Sequence, residues 1–133
     1  MAERCTIYVY NEHDIVRARQ VGRQIAKEMG FGSIVQARIT TAISELARNI
    51  FLYAGKGTIT IEQIQEEQRI GLRVIAADEG PGIPDIRKAM EDGFSTSGAL
   101  GAGLPGVKRL MDTFLIESAP NRGTRVTVVK WKD

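Results

Sequence analysis

Three groups of residues could do chemistry. Glu45 and Asn49 stand four apart in an apolar segment that also holds Ala42, Leu46 and Ile50. At 3.6 residues per turn a helix sets them roughly 40° apart at the margin of the apolar stripe. A carboxylate and an amide held there cost about 2 kcal/mol or more unless something satisfies them. Taken alone, the pair reads as an acid and an amide bonded to nearby backbone. Asp78 ends an apolar run and is followed by Glu79-Gly80-Pro81-Gly82-Ile83-Pro84. A carboxylate at a strand end, followed by glycines that admit close approach, can accept a hydrogen bond from an exocyclic amine such as that of adenine. An ordinary Asp-x-Gly turn has the same residues. The third group, Gly101-Ala102-Gly103-Leu104-Pro105-Gly106, spells G-x-G-x-x-G. It follows Phe94-Ser95-Thr96-Ser97-Gly98-Ala99-Leu100 rather than a strand, which excludes a dinucleotide fingerprint. A loop entering a helix N-terminus remains, whose free N–H groups and dipole favour phosphate. Gly55-Lys56-Gly57-Thr58 is no P-loop, because Ile50 stands where the upstream glycine belongs.

The elements that must position these groups follow from periodicity. Cys5 to Tyr10 reads as a strand. His13 to Met29 has a helical stripe of Ile15, Ala18, Val21, Ile25 and Met29, with Gly30 as its stop signal. Ser33 offers an N-cap for a second helix to about Tyr53, with Val35, Ile39, Ala42, Leu46 and Ile50 inward. Thr58 to Ile64 and Arg69 to Ala77 read as strands of a hairpin through the polar stretch Gln65 to Gln68. The glycine- and proline-rich segment from Asp78 to Gly106 carries one short helical piece near Asp85 to Glu91. Such a segment inside a small domain is usually a binding loop or lid. A helix from about Leu104 to Asp112, with Pro105 in its first turn, precedes strands Thr113 to Ser118 and Gly123 to Trp131. The order β-α-α-β-β-loop-α-β-β predicts an α+β fold of two layers, a mixed but mostly antiparallel sheet with helices on one face.

The composition bounds the partners. The chain has 133 residues, 43% hydrophobic and 26% charged, with 18 Lys+Arg against 16 Asp+Glu and a formal net charge of +2. One domain over residues 1–133 is expected. The charge balance argues against nucleic acid or an anionic membrane as an obligatory partner. A single cysteine, Cys5, and a single histidine, His13, exclude an internal disulfide and argue against a His/Cys metal site. Neither a signal peptide nor an apolar run of membrane length is evident, so a cytoplasmic protein is expected. The basic side chains Arg17, Arg23 and Lys27 read as a solvated helix face. Cys5 and Trp131 read as strand packing.

Taken in order, the series Glu45-x-x-x-Asn49, Asp78-x-Gly80-x-Gly82, Gly101-x-Gly103-Leu104 and Gly123-Thr124 resembles the N, G1, G2 and G3 boxes of the GHKL ATPase/kinase superfamily, which includes gyrase, Hsp90, histidine kinases and MutL. The resemblance spans about Ile34 to Val128 and implies the Bergerat ATP-binding fold. It further implies that Asp78 binds the adenine amine, with Thr124 nearby through water. Asn49 would hold Mg²⁺ by its side-chain oxygen. Gly80, Gly82 and Ile83 would pack against the nucleotide. Gly101, Ala102, Gly103 and Leu104 would cradle the phosphates. Residues from about Asp85 to Leu100 would form a lid, with Arg87, Lys88, Ser95 and Ser97 as phosphate contacts. Glu45 would be the base or orienting carboxylate for an attacking hydroxyl.

A lone domain without a transducer or a phosphoacceptor-histidine segment is similar to the serine-kinase branch of that superfamily. Segments Gln36–Ile50, Gly80–Lys88, Glu91–Ser97 and Gly101–Asp112 look like those of the stressosome switch kinases. That likeness implies a protein serine/threonine kinase that phosphorylates STAS-domain antagonist and scaffold proteins. On release it would activate a PP2C-type phosphatase or another output protein. An anti-sigma factor of the same branch and a non-catalytic ATP-binding adaptor are the alternatives.

Overall fold

A computed structural model describes residues 4–83, 90 and 103–132. Strand β1 (Arg4–Val9) leads into helices α1 (Glu12–Glu28) and α2 (Ser33–Tyr53). Strands β2 (Gly57–Glu66) and β3 (Arg69–Asp78) follow, then helix α3 (Gly103–Leu110) and strands β4 (Thr113–Ser118) and β5 (Thr124–Lys132). The five strands form one sheet in the order β1-β2-β3-β5-β4, and every pairing among the described residues is antiparallel. The short helical piece expected near Asp85 to Glu91 lies outside the described residues apart from Met90.

One face of the sheet carries the core. Ile7 and Val9, Ile59 and Ile61, Leu72, Val74 and Ala76, and Val126 and Val128 alternate along four strands and are all buried. They meet Ile15, Ala18 and Ile25 of α1, Ile39, Ala42, Ile43, Leu46 and Ile50 of α2, and Val107 of α3. Each fully buried Ile, Leu or Val stabilises the fold by about 1.5–3 kcal/mol relative to exposure. Gly22 lets α1 approach α2, since a Cβ there would strike Ile43 Cδ1. On the opposite face of the sheet Tyr8 and Leu115 are more than half exposed.

The helix ends differ from the sequence reading in instructive ways. Helix α1 starts at Glu12, one residue earlier than expected. Its N-cap is Asn11, whose side chain accepts from Asp14 N while Asp14 accepts from Asn11 N, a reciprocal box that satisfies two orphan donors. At its other end Gly30 takes φ +91, Gly30 N–H bonds to Lys27 O, and Phe31 N–H bonds to Ala26 O. These are the paired bonds of a Schellman stop. Helix α2 is not capped by Ser33. Ser33 is its first helical residue, Gly32 holds the cap position with extended backbone, and no side chain caps the helix. The β2–β3 strands pair out to Glu66 and Arg69, so the turn is the two residues Glu67 and Gln68 and not the whole polar stretch.

Candidate active site

The register places five residues in one row at the end of the sheet. Val9 pairs with Gly57, Gly57 with Asp78, Asp78 with Thr124, and Thr124 with Ser118. All share the parity of the buried core positions, so Asp78, Thr124 and Ser118 belong to the helix-bearing side. Gly57 is needed because a Cβ there would lie 2.8 Å from Ile50 Cγ2 and 2.5 Å from Ala77 O. The row therefore sits directly against α2.

Asp78 is half-buried, and burial pushes its carboxyl pKa up, an effect offset in part by bonds from the backbone amides of Gly80 and Thr124. The loop after it is tied to the β4–β5 turn. Ser118 Oγ accepts from Ile83 N at 2.8 Å and donates to Gly123 O at 2.9 Å. Its one proton is thereby used, so the 2.8 Å contact with Thr124 Oγ1 must be donated by Thr124. Thr124 is left with lone pairs only, an acceptor toward a water or an amine. Asn121 N–H also bonds to Pro81 O at 2.6 Å.

The glycines of this loop and of the β4–β5 turn are required by the chain itself. Gly82 and Gly123 have φ of +78 and +77, and a Cβ would strike Ala119 O and Asp78 O respectively. A Cβ on Gly80 would lie 2.6 Å from Ala54 Cβ. The loop is thus seated on the C-terminal end of α2.

A cleft of about 830 Å³ wraps this end of the sheet, lined on the helix-bearing side by Ala54, Asp78, Ser118, Gly123 and Thr124 and on the opposite face by Tyr8, Thr58, Ala77 and Arg125. It continues round the sheet end to Tyr8 and Tyr10, whose rings stack with centroids 6.3 Å apart.

Glu45 and Asn49 do not line that cleft. They stand further back along α2, Asn49 half-buried and Glu45 only 1% exposed. Glu45 Oε1 accepts from Arg48 Nη1 at 3.0 Å, while among the described residues Oε2 is buried with no partner. Burial pushes the Glu45 carboxyl up, opposed by the Arg48 charge and the Gly103 backbone amide. The first residue of α3 thus faces the acid of α2. An unpaired buried carboxylate oxygen costs about 1–3 kcal/mol, so it marks a position retained against stability.

Of the residues expected from sequence, Asp78, Gly80, Gly82, Ile83 and Thr124 come together at the sheet end. Glu45 and Gly103 meet where α2 faces α3, Asn49 stands one turn along α2 from Glu45, and Leu104 packs against the core. Arg87, Lys88, Ser95, Ser97, Gly101 and Ala102 lie outside the described residues. Sequence reasoning missed Ser118, whose partner Ile83 is 35 positions away. It also missed Arg48, although the i,i+3 spacing to Glu45 was a usable signal.

Comparison with known proteins agrees with this geometry. Residues 34–133 match the family described as histidine kinase-, DNA gyrase B-, and HSP90-like ATPase. The chain is 63% identical over 131 residues to the serine/threonine-protein kinase RsbT of Bacillus subtilis (strain 168), covering 98% of both chains. It is 37% identical over 101 residues to an anti-sigma F factor of Caldanaerobacter subterraneus subsp. tengcongensis, covering 71% of this chain and 69% of that one. An anti-sigma F factor of Geobacillus stearothermophilus is 34% identical over 99 residues, covering 69% of this chain and 66% of that one. A carboxylate at the end of β3, a buried acid on α2 and a glycine-hinged loop between them accord with that match, and the chain belongs to the histidine kinase-, DNA gyrase B- and HSP90-like ATPase family, on its RsbT-like side.

Proposed function

We propose that this chain, a protein serine/threonine kinase of the RsbT type, uses Mg-ATP to phosphorylate STAS-domain antagonist and scaffold proteins of a bacterial stressosome in the cytoplasm. On release it activates a PP2C-type phosphatase or another output protein. The observation that carries the reading is Glu45, a carboxylate with 1% exposure and one oxygen without a partner among the described residues. That is the chemistry needed to receive a hydroxyl proton.

In this reading Asp78 accepts from the adenine amine, and Thr124, whose proton is committed to Ser118, accepts from a bridging water. Glu45 orients the incoming serine or threonine hydroxyl and takes its proton as the oxygen bonds to the γ-phosphorus and the bond to the β–γ bridging oxygen breaks. Positioning, more than proton transfer, is the main contribution of such a group. Asn49 fits Mg²⁺, because a neutral amide oxygen suits a hard cation that takes its remaining ligands from water and phosphates. The metal, when bound, supplies neutralisation of phosphate charge. The first turn of α3, opened by Gly103, presents its remaining backbone N–H groups toward the phosphates, the Gly103 amide itself facing Glu45.

Incubation with γ-labelled ATP, Mg²⁺ and a STAS-domain protein should label that protein on serine or threonine. Tight ATP binding without transfer would instead favour an adaptor whose nucleotide is structural. The likeness to anti-sigma F factors favours a second reading, in which the chain also binds a sigma subunit. A sigma pull-down separates the two.

A further inference from the structure

Among the described residues one side chain holds the acid on α2, and the Gly103 backbone amide that opens α3 faces the same carboxyl. Arg48 Nη1 approaches Glu45 Oε1 at 3.0 Å, with the guanidinium side chain 34% exposed and the carboxylate side chain 1% exposed. A guanidinium can engage both oxygens of a carboxylate in a fork. Here it engages one, and Oε2 is left buried and without a partner among the described residues. The two residues are i and i+3 on one helix, so the arrangement depends on α2 and not on a bound partner. The apolar neighbours Ala42, Leu46 and Ala47 are fully or almost fully buried and cannot bond to the carboxylate.

We propose that Arg48 is a positioning residue that holds Glu45 Oε1, so that Oε2 alone is presented to the acceptor hydroxyl. The inference rests on the reading of Glu45 as the proton acceptor for phosphoryl transfer. Arg48 touches neither nucleotide nor hydroxyl in this account. It acts by anchoring Oε1, which a rigid planar guanidinium does better than a flexible ammonium.

The test is a cycle of purified full-length variants: wild type, Arg48→Met, Arg48→Lys, Glu45→Ala and Glu45→Ala with Arg48→Met. Each is assayed for labelled phosphate transfer from Mg-ATP to a STAS-domain protein, for binding of a fluorescent ATP analogue, and for thermal unfolding. Arg48→Met should lower kcat by about ten- to a hundredfold, the scale of a misplaced reacting group. Its KM for ATP and its analogue Kd should stay within about twofold. Arg48→Lys, which keeps the charge and guards against a folding failure, should recover part of the lost kcat. In the Glu45→Ala background Arg48→Met should cause no further loss. An equal loss in that background, a weakened Kd, or an unchanged kcat for both Arg48 variants overturns the proposal. Wild-type transfer by Glu45→Ala, or no transfer by wild type, overturns instead the reading of the acid on which it rests.

Discussion

Asp78 and Thr124 face each other across β3 and β5, and the Thr124 backbone amide bonds to the Asp78 carboxylate while the Thr124 hydroxyl donates to Ser118. The acid proposed to bind the purine is thus held by the same residue whose hydroxyl is left with lone pairs only. Its loop is fixed in turn by Ser118, Gly82 and Gly123.

Replacing Asp78 by Asn removes a charged acceptor and should weaken ATP binding about ten- to a hundredfold, the range for a hydrogen bond to a charged group. Titration calorimetry against wild type checks this. Unchanged affinity would place the purine elsewhere.

The same substitution should stabilise the nucleotide-free protein at neutral pH. Burial raises the Asp78 pKa, with the Gly80 and Thr124 amides opposing. The folded state therefore keeps its proton to higher pH than the unfolded state, and stability falls as pH rises from near 4 through the folded pKa. Above that window the charged form is a constant burden, so Asp78→Asn should melt higher at pH 7. The gain should fade below about pH 4, where both forms are neutral. Thermal scans across pH report it, and a lower melting point at pH 7 would contradict it.

Ser118→Ala should leave Ile83 N–H and Gly123 O without their partner. The expected loss is about 1–2 kcal/mol of stability, with faster amide exchange at Ile83 and weaker ATP binding. Denaturant unfolding and hydrogen exchange measure both. An effect on global stability with normal exchange at Ile83 would remove the loop argument.

Gly123→Ala combines a positive φ with a collision against Asp78 O. A loss of about 2 kcal/mol or more is expected, together with loss of nucleotide binding. Gly55→Ala is the control, since it also has positive φ but nothing within 4 Å of the added Cβ. It should cost less and leave nucleotide binding intact. Equal penalties at the two sites would mean that backbone strain alone, and not the seating of the loop, matters at Gly123.

Glu45→Ala should lower phosphate transfer about a hundredfold or more while ATP binding persists, as expected for an acid–base group. Transfer assays beside binding assays distinguish this from unfolding.

The core was legible because its periodicities are strict. Ile39, Ala42, Leu46 and Ile50 on α2 repeat at helical spacing, and all are buried. Asp78 was legible as a candidate, because a carboxylate between an apolar strand and a glycine pair is a local signal. The α2 start was misread because Ser33 is a good cap by type, whereas Gly32 has the extended backbone that the cap needs. Ser118 could not be found, because its value comes from Ile83 and Thr124, which only the sheet register brings to it. The glycines were read for their closeness to a ligand, but Gly80 and Gly82 are first demanded by Ala54 and Ala119.

A crystal structure with Mg²⁺ and a non-hydrolysable ATP analogue tests the central claim most directly. The account predicts the adenine amine at about 3 Å from an Asp78 oxygen, the metal on Asn49, and the γ-phosphate on the Glu45 side of α3. A nucleotide seated instead against Tyr8 and Tyr10 on the sheet face away from the helices, or density showing the Asp78 side of the cleft closed by the protein's own side chains, would contradict it.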